Sequence, residues 1–411
     1  MQSDTRANGR ISVGRRTILA TLGGGAATLA LGGGAAIWAG NAWGMVDPAK
    51  TGGGRNLADL FALPEPLKPA PPPLPPRRVT HPAAVTPEGL AEWDMFKRRF
   101  VAGEGRVVDT GNGGVSHTEG QGWGMLCAVA FDDPATFDLL YGWTARTLRR
   151  RADRLHSWRY MPNAQIPVAD PNNATDGDLF IASALWRAAW RWGRPDLEHA
   201  AQAIARDVLS LLVRQVGDRT VLLPGAHGFE TQGLVTINPS YYVFPALEEM
   251  AALAPSPVWA RLMSDGAAML SEGRFGRWQL PPDWLRLDRQ TGALAPHPNW
   301  PARFSYDAIR VPLWLAWSGQ PSSAVAESFG AYWSLYQPAP PAWIDLNTNA
   351  QARYPAPPGV VAIGHTATAL SQPGRKGVGS IQFPPIRSSP DYYSAALTMI
   401  SRCAWQECWD M

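Results

Sequence analysis

From residue 87 onward, apolar side chains recur at intervals of three and four, the period that gathers them on one face of an α-helix. The pattern marks eleven segments: Glu88–Phe100, Gly122–Phe131, Pro134–Arg150, Asp178–Trp192, Asp196–Arg214, Pro239–Ala254, Val258–Gly273, Asp307–Trp317, Ser323–Tyr336, Val360–Leu370 and Asp391–Trp409. Strand-like stretches are few; Val221–Gly225 and Trp278–Asp288 read as short strands within loops. The helical segments fall roughly in pairs, as stacked hairpins do. No repeat of fixed period accompanies them, so a solenoid is not indicated. Pro312 lies five residues into the segment that starts at Asp307, where it is expected to kink or loosen the first turn. An all-α fold is expected.

Composition adds a core and an address. The 411 residues are 45% hydrophobic and 17% charged with 19 Trp, enough for one large core and more indole rings than an ordinary globular chain carries. Trp fills cores and also stacks on the apolar faces of sugars. Residues 1–42 stand apart from the helical pattern. Arg15-Arg16-Thr17-Ile18-Leu19 opens a Gly-rich apolar run that reaches Ala39, and small residues follow it at Gly40-Asn41-Ala42. This reads as a twin-arginine export signal, so the protein is expected to be periplasmic or secreted. The alternative is an uncleaved anchor, for which so many glycines make a poor span. Residues 43–87 hold the tract Pro69–Pro76, an extended spacer ahead of a folded domain at 88–411.

Charge and cysteine usage narrow the partners. Arg6, Arg10, Arg15 and Arg16 against Asp4 account for the whole formal net charge of +3, which leaves the remainder near neutral. A nucleic-acid partner has no electrostatic support, and a membrane partner none beyond the N-terminal segment. Of the three cysteines, Cys127 is expected as a buried thiol. Cys403 and Cys408, five apart on one helix, are too far separated for an easy bridge. No Cys-x-x-Cys or His-x-x-x-His spacing occurs, so neither a metal nor a cofactor is expected.

The chemistry starts at Ser116–Leu126, Ser-His-Thr-Glu-Gly-Gln-Gly-Trp-Gly-Met-Leu. Glu119 sits where a polar loop becomes apolar, followed by a turn rich in glycine, a residue that lets a backbone or ligand come close. An acid, such a turn and Trp123 suit a carboxyl held against a flat polar ligand such as a sugar ring. A capping acid at a helix N-terminus explains the stretch equally well. The run also mimics a dinucleotide fingerprint, but its third Gly is misplaced and no strand precedes it. Ala174–Leu179 (Ala-Thr-Asp-Gly-Asp-Leu), Asn238-Pro239-Ser240-Tyr241-Tyr242 and Phe304–Val311 (Phe-Ser-Tyr-Asp-Ala-Ile-Arg-Val) complete a set of four.

In this order the four motifs resemble glycoside hydrolase family 8, inverting bacterial cellulases that include periplasmic endoglucanases linked to cellulose synthesis. The resemblance spans roughly residues 88–411. It implies an (α/α)6 barrel of six inner and six outer helices with a groove across one end. It also implies endo-β-1,4-glucanase activity on a β-1,4-linked polysaccharide and association with cellulose synthase machinery. Chitosan, xylan and mixed-linkage glucan remain open as substrates. A glycan-binding accessory protein with negligible turnover is the reading from another class, and the presence of all three acids argues against it.

By the same resemblance Glu119 is the general acid, Asp307 the general base, and Asp176 a third carboxylate gripping the sugar at the cleavage subsite. Each stands just before an apolar helical segment, so a barrel would bring all three to one end; N-capping is the bland alternative for each. In an inverting enzyme acid and base stand about 6.5–9.5 Å apart, with a water between base and sugar. A helix N-terminus lowers a carboxyl pKa, which suits Asp307 and opposes Glu119. Glu119 would then need desolvation by Trp123 or the charges of Asp176 and Asp307. Arg310 shares a helix face with Asp307 and can orient a carboxylate, bind a sugar hydroxyl or form a core ion pair. Trp123, Trp158, Tyr241, Tyr242, Tyr306, Tyr392 and Tyr393 are candidate sugar contacts, and Asn238 binds the chain or starts a turn. Thr118 replaces the family's usual Ser before the acid and keeps its hydroxyl.

Overall fold

All eleven periodic segments are helices: α1 (Pro87–Phe100), α2 (Thr118–Ala130), α3 (Pro134–Thr147), α4 (Thr175–Trp192), α5 (Pro195–Leu212), α6 (Phe244–Leu253), α7 (Pro257–Glu272), α8 (Val311–Trp317), α9 (Ala324–Tyr336), α10 (Pro358–Leu370) and α11 (Tyr392–Trp409). The computed structural model describes residues 86–319, 324–371 and 381–409. The signal reading of residues 1–42 and the spacer reading of the proline tract fall outside the described residues.

Proline decides where many of these helices begin. α1, α3, α5, α7 and α10 each open on one. At that position the missing N–H is a group the helix leaves unpaired anyway. Thr86, Asp133 and Ser256 cap the first turns of α1, α3 and α7 with side-chain oxygens. Two segments start later than periodicity suggests. Pro239–Ala254 divides into a 3-10 turn, Pro239–Tyr241, and α6; Asp307–Trp317 divides into a 3-10 turn, Ala308–Arg310, and α8. Pro245 and Pro312 stand in the first turns of α6 and α8, and their rings prevent regular α-turns from extending back through them.

Six helices close a ring: α2 packs on α4, α4 on α6, α6 on α8, α8 on α10, α10 on α11, and α11 back on α2. Outside it, α1 lies against α11, α3 against α2, α5 against α4 and α6, α7 against α6, and α9 against α8 and α10. This is the (α/α)6 barrel, with six inner helices and, among the described residues, five outer ones. The described stretch leading into α11 holds Pro384, Pro385 and Pro390 and forms coil with one 3-10 turn, Ile386–Ser388. Burial separates the two layers. α5 buries one stripe (Leu197, Ala201, Ile204, Ala205, Val208, Leu212), whereas α2 and α4 bury nearly every residue.

The contact between α2 and α4 is made by glycine. A Cβ on Gly177 would stand 2.1 Å from Thr118 Oγ1, and one on Gly122 would stand 2.5 Å from Phe180 Cβ. The glycine-rich turn expected after Glu119 is therefore a helix, and its glycines admit a neighbouring helix, not a ligand.

Strands are short and lie in the loops. β1 (Ser116–His117) pairs with β2 (Arg159–Tyr160), β3 (Val213–Val216) with β4 (Arg219–Leu222), and β8 (Arg303–Phe304) with β9 (Ile344–Asp345). β5 (Leu234–Ile237), β6 (Leu285–Asp288) and β7 (Leu294–Pro296) form one antiparallel sheet. Of the two expected strands, Val221–Gly225 overlaps only the end of β4, and Trp278–Asp288 contributes only β6. All three cysteines are buried thiols outside any disulfide. Cys403 and Cys408 share α11, and Cys403 Sγ lies 3.8 Å from Cys127 Sγ.

Candidate active site

Glu119 and Asp176 lie in the first turns of α2 and α4, Asp307 stands just before the 3-10 turn that leads into α8, and none of the three acts as a conventional cap. His117 caps α2, its Nδ1 accepting the Gly120 N–H at 3.0 Å, which leaves the Glu119 carboxylate for the cleft. The cap residue of α4, Ala174, has no side-chain oxygen. Asp176 Oδ1 accepts the adjacent Gly177 N–H, at 2.7 Å. Asp307 precedes the 3-10 turn and makes no cap bond.

Arg310 draws the acids together from the same 3-10 turn. Its Nη1 donates to Glu119 Oε2, and its Nη2 donates to Asp307 Oδ1 at 2.6 Å and to Ser240 Oγ at 2.9 Å. Asp176 Oδ2 lies 3.9 Å from Nη1. The guanidinium rests over the Trp123 ring, 5.6 Å from its centroid. A buried cation is costly unless paired. Burial pulls the Arg310 pKa down, but the charges of Glu119, Asp307 and Asp176 hold it well above its ordinary value.

The carboxyls respond to burial and to one another. Burial, then the charges of Asp283 and Glu119, raise Asp307 to about 7, against the pull of Arg310 and the Asn238 amide. The lowering expected from a helix N-terminus does not occur. The turn is three residues long, so it has little dipole, and the leading N–H groups bond to Asp283 instead. Burial and the neighbouring Glu119 charge raise Asp176 well above the carboxylate range.

The cleft around these groups holds about 520 Å³ of empty space. Trp158, Tyr241, Tyr306 and Tyr393 supply its aromatic walls, and Asn112, His117, Thr118 and Arg159 add polar edges. Trp158 is set firmly. Its Nε1 donates to Asp170 at 2.7 Å, and the Arg159 guanidinium covers its ring at 4.4 Å. Its loop is stapled by Asp178, which accepts the His156 backbone N–H at 3.0 Å and the Asn173 amide at 3.0 Å. Tyr393 donates its hydroxyl to the Tyr306 carbonyl and meets the Tyr306 ring edge-on at 6.1 Å.

Sequence comparison identifies the arrangement. The chain matches the profile of glycosyl hydrolases family 8 over residues 79–407. It belongs to that family. A probable endoglucanase from Novacetimonas hansenii is 46% identical over 316 residues, 76% of this chain and 90% of that protein. An endoglucanase from Cellulomonas uda is 41% identical over 288 residues, 69% of this chain and 80% of that protein. The solved structure of an endo-β-1,4-glucanase from Acetobacter xylinum matches with a TM-score of 0.73 at 45% identity, covering 79% of this chain and 99% of that one.

Within this family 8 barrel, Glu119, Asp176, Asp307, Arg310, Trp158, Tyr241, Tyr306 and Tyr393 line one cleft, and four other expected contacts do not. Trp123 is buried beneath Arg310, edge-on to Phe180, so it backs the guanidinium and not a sugar. Tyr242 is core: its ring presses on Gly266 and its hydroxyl accepts the Leu222 N–H at 3.1 Å. Tyr392 is core too, among Phe96, Phe100 and the His117 ring. Asn238 is the turn initiator, its Oδ1 accepting from the Ser240 N–H at 3.0 Å and the Ser240 hydroxyl at 2.7 Å. It thereby holds the Ser240 oxygen that Arg310 uses. In each of the adjacent pairs Tyr241-Tyr242 and Tyr392-Tyr393, nothing local distinguishes the cleft residue from the core residue. Sequence reasoning also missed Asp283, an isolated acid between Pro282 and Trp284 with no motif around it. His117 was within a quoted motif, but nothing in the sequence marked it as the cap.

Proposed function

We propose that this protein is an inverting endo-β-1,4-glucanase acting on internal bonds of cellulose or a related β-1,4-glucan, with Glu119 as acid and Asp307 as base. One observation carries the division of labour. Arg310 touches the two carboxylates through different nitrogens, so they sit on separate sides of one guanidinium within a cleft walled by aromatic rings. Asp307, at about 7, is matched to taking a proton from water near neutral pH. Asp176 is raised by burial and by the Glu119 charge, so its carboxyl favours the protonated form beside Glu119. In the reaction, Asp307 removes a proton from water as its oxygen attacks the anomeric carbon. Glu119 protonates the departing sugar oxygen on the other side, and the product is the α-anomer. Asp176 grips the sugar at the cleavage subsite, and Trp158, Tyr241, Tyr306 and Tyr393 stack on or flank the chain.

The test compares substrates of different leaving group. Glu119→Gln should lower turnover of a glucan about 10²–10⁴-fold and partly spare an aryl glycoside, which needs less protonation. Asp307→Asn should impair both. Proton NMR of fresh hydrolysate should show the α-anomer; a β-anomer would mean a covalent intermediate and a different role for Asp307. Reducing-sugar release from carboxymethylcellulose, chitosan and xylan side by side should favour the first.

The setting is part of the same proposal. Arg15-Arg16 ahead of a Gly-rich apolar run supports twin-arginine export to the periplasm or beyond, and the proline tract supports a spacer. The motif resemblance to endoglucanases of cellulose synthesis supports trimming of nascent glucan beside that machinery. Replacing both arginines by lysine should retain precursor in the cytoplasm; unimpaired export would remove the twin-arginine reading.

A further inference from the structure

The segment that presents Asp307 is held from behind by another carboxylate. Asp283 Oδ1 accepts the N–H groups of Ser305 at 3.1 Å, Asp307 at 3.1 Å and Ala308 at 2.8 Å, and its Oδ2 accepts the Ser305 hydroxyl. Its own N–H donates to the Arg303 carbonyl at 2.7 Å. Five bonds thus tie one residue to the stretch 303–308. The N–H groups of a first helical turn are ordinarily capped by a side chain two or three residues upstream. Here the capping oxygen comes from 24 residues before Asp307, at the entrance to β6. The base is therefore registered against the β5–β6–β7 sheet and not left on a free loop.

The bonding pattern also specifies charge. Burial leaves the Asp283 carboxyl above its ordinary value, although the donors around it pull it down. Four donors face its oxygens, an arrangement that favours an ionised carboxylate. That charge sits behind Asp307, whose other charged or titratable neighbours are Arg310 and Glu119, with the Tyr241 and Tyr393 phenols at the cleft wall. The Tyr306 phenol faces Asp283 from the same segment. Arg310 favours the ionised form of Asp307 and would make it a weak base; Asp283 opposes it.

We propose that Asp283 is a positioning residue for the base: its carboxylate fixes the backbone that aims Asp307, and its negative charge keeps Asp307 able to take a proton from water. This rests on Asp307 being the base. After burial and the opposing Arg310, Asp283 is the next influence on Asp307.

The test reads the acid limb of the kcat/KM–pH profile, which a merely structural role would not move. Asp283→Asn keeps the shape and removes the charge. The limb should shift about one pH unit lower, with kcat reduced about tenfold and KM little changed. Ser305→Ala removes the hydroxyl that offsets the Asp283 charge, so the limb should shift the other way, to higher pH. Limbs that stay at the wild-type pH in both variants, or move in the same direction, would overturn the proposal. If Asp283→Asn does not fold, the direction in Ser305→Ala decides alone. Asp307→Asn is measured in parallel. Wild-type turnover there would remove the base assignment and this proposal with it, whereas loss of turnover with unmoved limbs would remove only the role of Asp283.

Discussion

A carboxyl held at about 7 inside a cleft is useful for catalysis and costly for folding. The folded state binds this proton more tightly than the unfolded chain, whose Asp titrates near 3.8. The stability it contributes is intact below about pH 4 and is lost as pH rises through about 7. The rise from 3.8 to about 7 corresponds to at most about 4 kcal/mol. Asp307→Asn should therefore melt higher than the wild type at pH 8 and nearly level with it at pH 4. A variant equally stabilised at both would show that the carboxyl is not strained by its charge. The same value sets the acid limb of kcat/KM near pH 7, below which activity should fall. Arg310 gives a complementary prediction. Lysine keeps its charge but cannot reach Glu119 and Asp307 together through a planar fork. Arg310→Lys should keep its circular dichroism and lose about 10²-fold in kcat/KM, the scale of a small misplacement of reacting groups.

Among the elements, the start of α4 carries the tightest requirement. A methyl on Gly177 would meet Thr118 Oγ1 at 2.1 Å and the Glu119 N–H nitrogen at 2.8 Å, so α2 would have to move and take Glu119 with it. Gly122 is equally crowded, 2.5 Å from Phe180 Cβ, but lies nearly a turn deeper in α2. Both alanine variants should lose about 1–3 kcal/mol in chemical denaturation, the usual cost of overpacking. Only Gly177→Ala should also lose a large part of kcat. Equal kcat losses in the two would mean that the helix contact does not position Glu119. Elements of this kind were half visible beforehand. Apolar spacing located the start of α3 and came within one residue of those of α1, α5 and α7, each of which opens on a proline whose ring-locked φ sets the first turn locally. The 3-10 turns before α6 and α8 were read as helix, because apolar spacing alone does not register where an α-turn can no longer form.

The six inner helices form a ring, and the ring closes through α11. α11 packs on both α10 and α2, and its first turn supplies Tyr393 to the cleft. At the other end of α4, Arg187 pairs with Glu249 of α6 at 2.8 Å and with Glu407 of α11, a buried clamp across three inner helices. A chain beginning at residue 86 should accordingly unfold in one calorimetric transition and keep its activity. One ending before Tyr392 should lose both, since the ring would be left open and the clamp unpaired. A truncated chain of the second kind that still melts cooperatively would show that the barrel does not need closure.

The sequence by itself determined the helices, the three acids and the family, because each rests on short-range patterns: a period near 3.6 or a motif of five to eleven residues. It did not determine which face of each motif meets the cleft. Tyr241 and Tyr393 line it while their neighbours Tyr242 and Tyr392 are core, a difference set by helices that are distant in sequence. Nor did it reveal that Arg310 bridges Glu119 and Asp307, or that Asp283 takes over the cap of the turn that presents Asp307. Those contacts join residues 191 and 24 positions apart. The raised proton affinity of Asp307 belongs with them. Local helix logic points down, and burial among other carboxylates, which only the closed ring creates, sends it up.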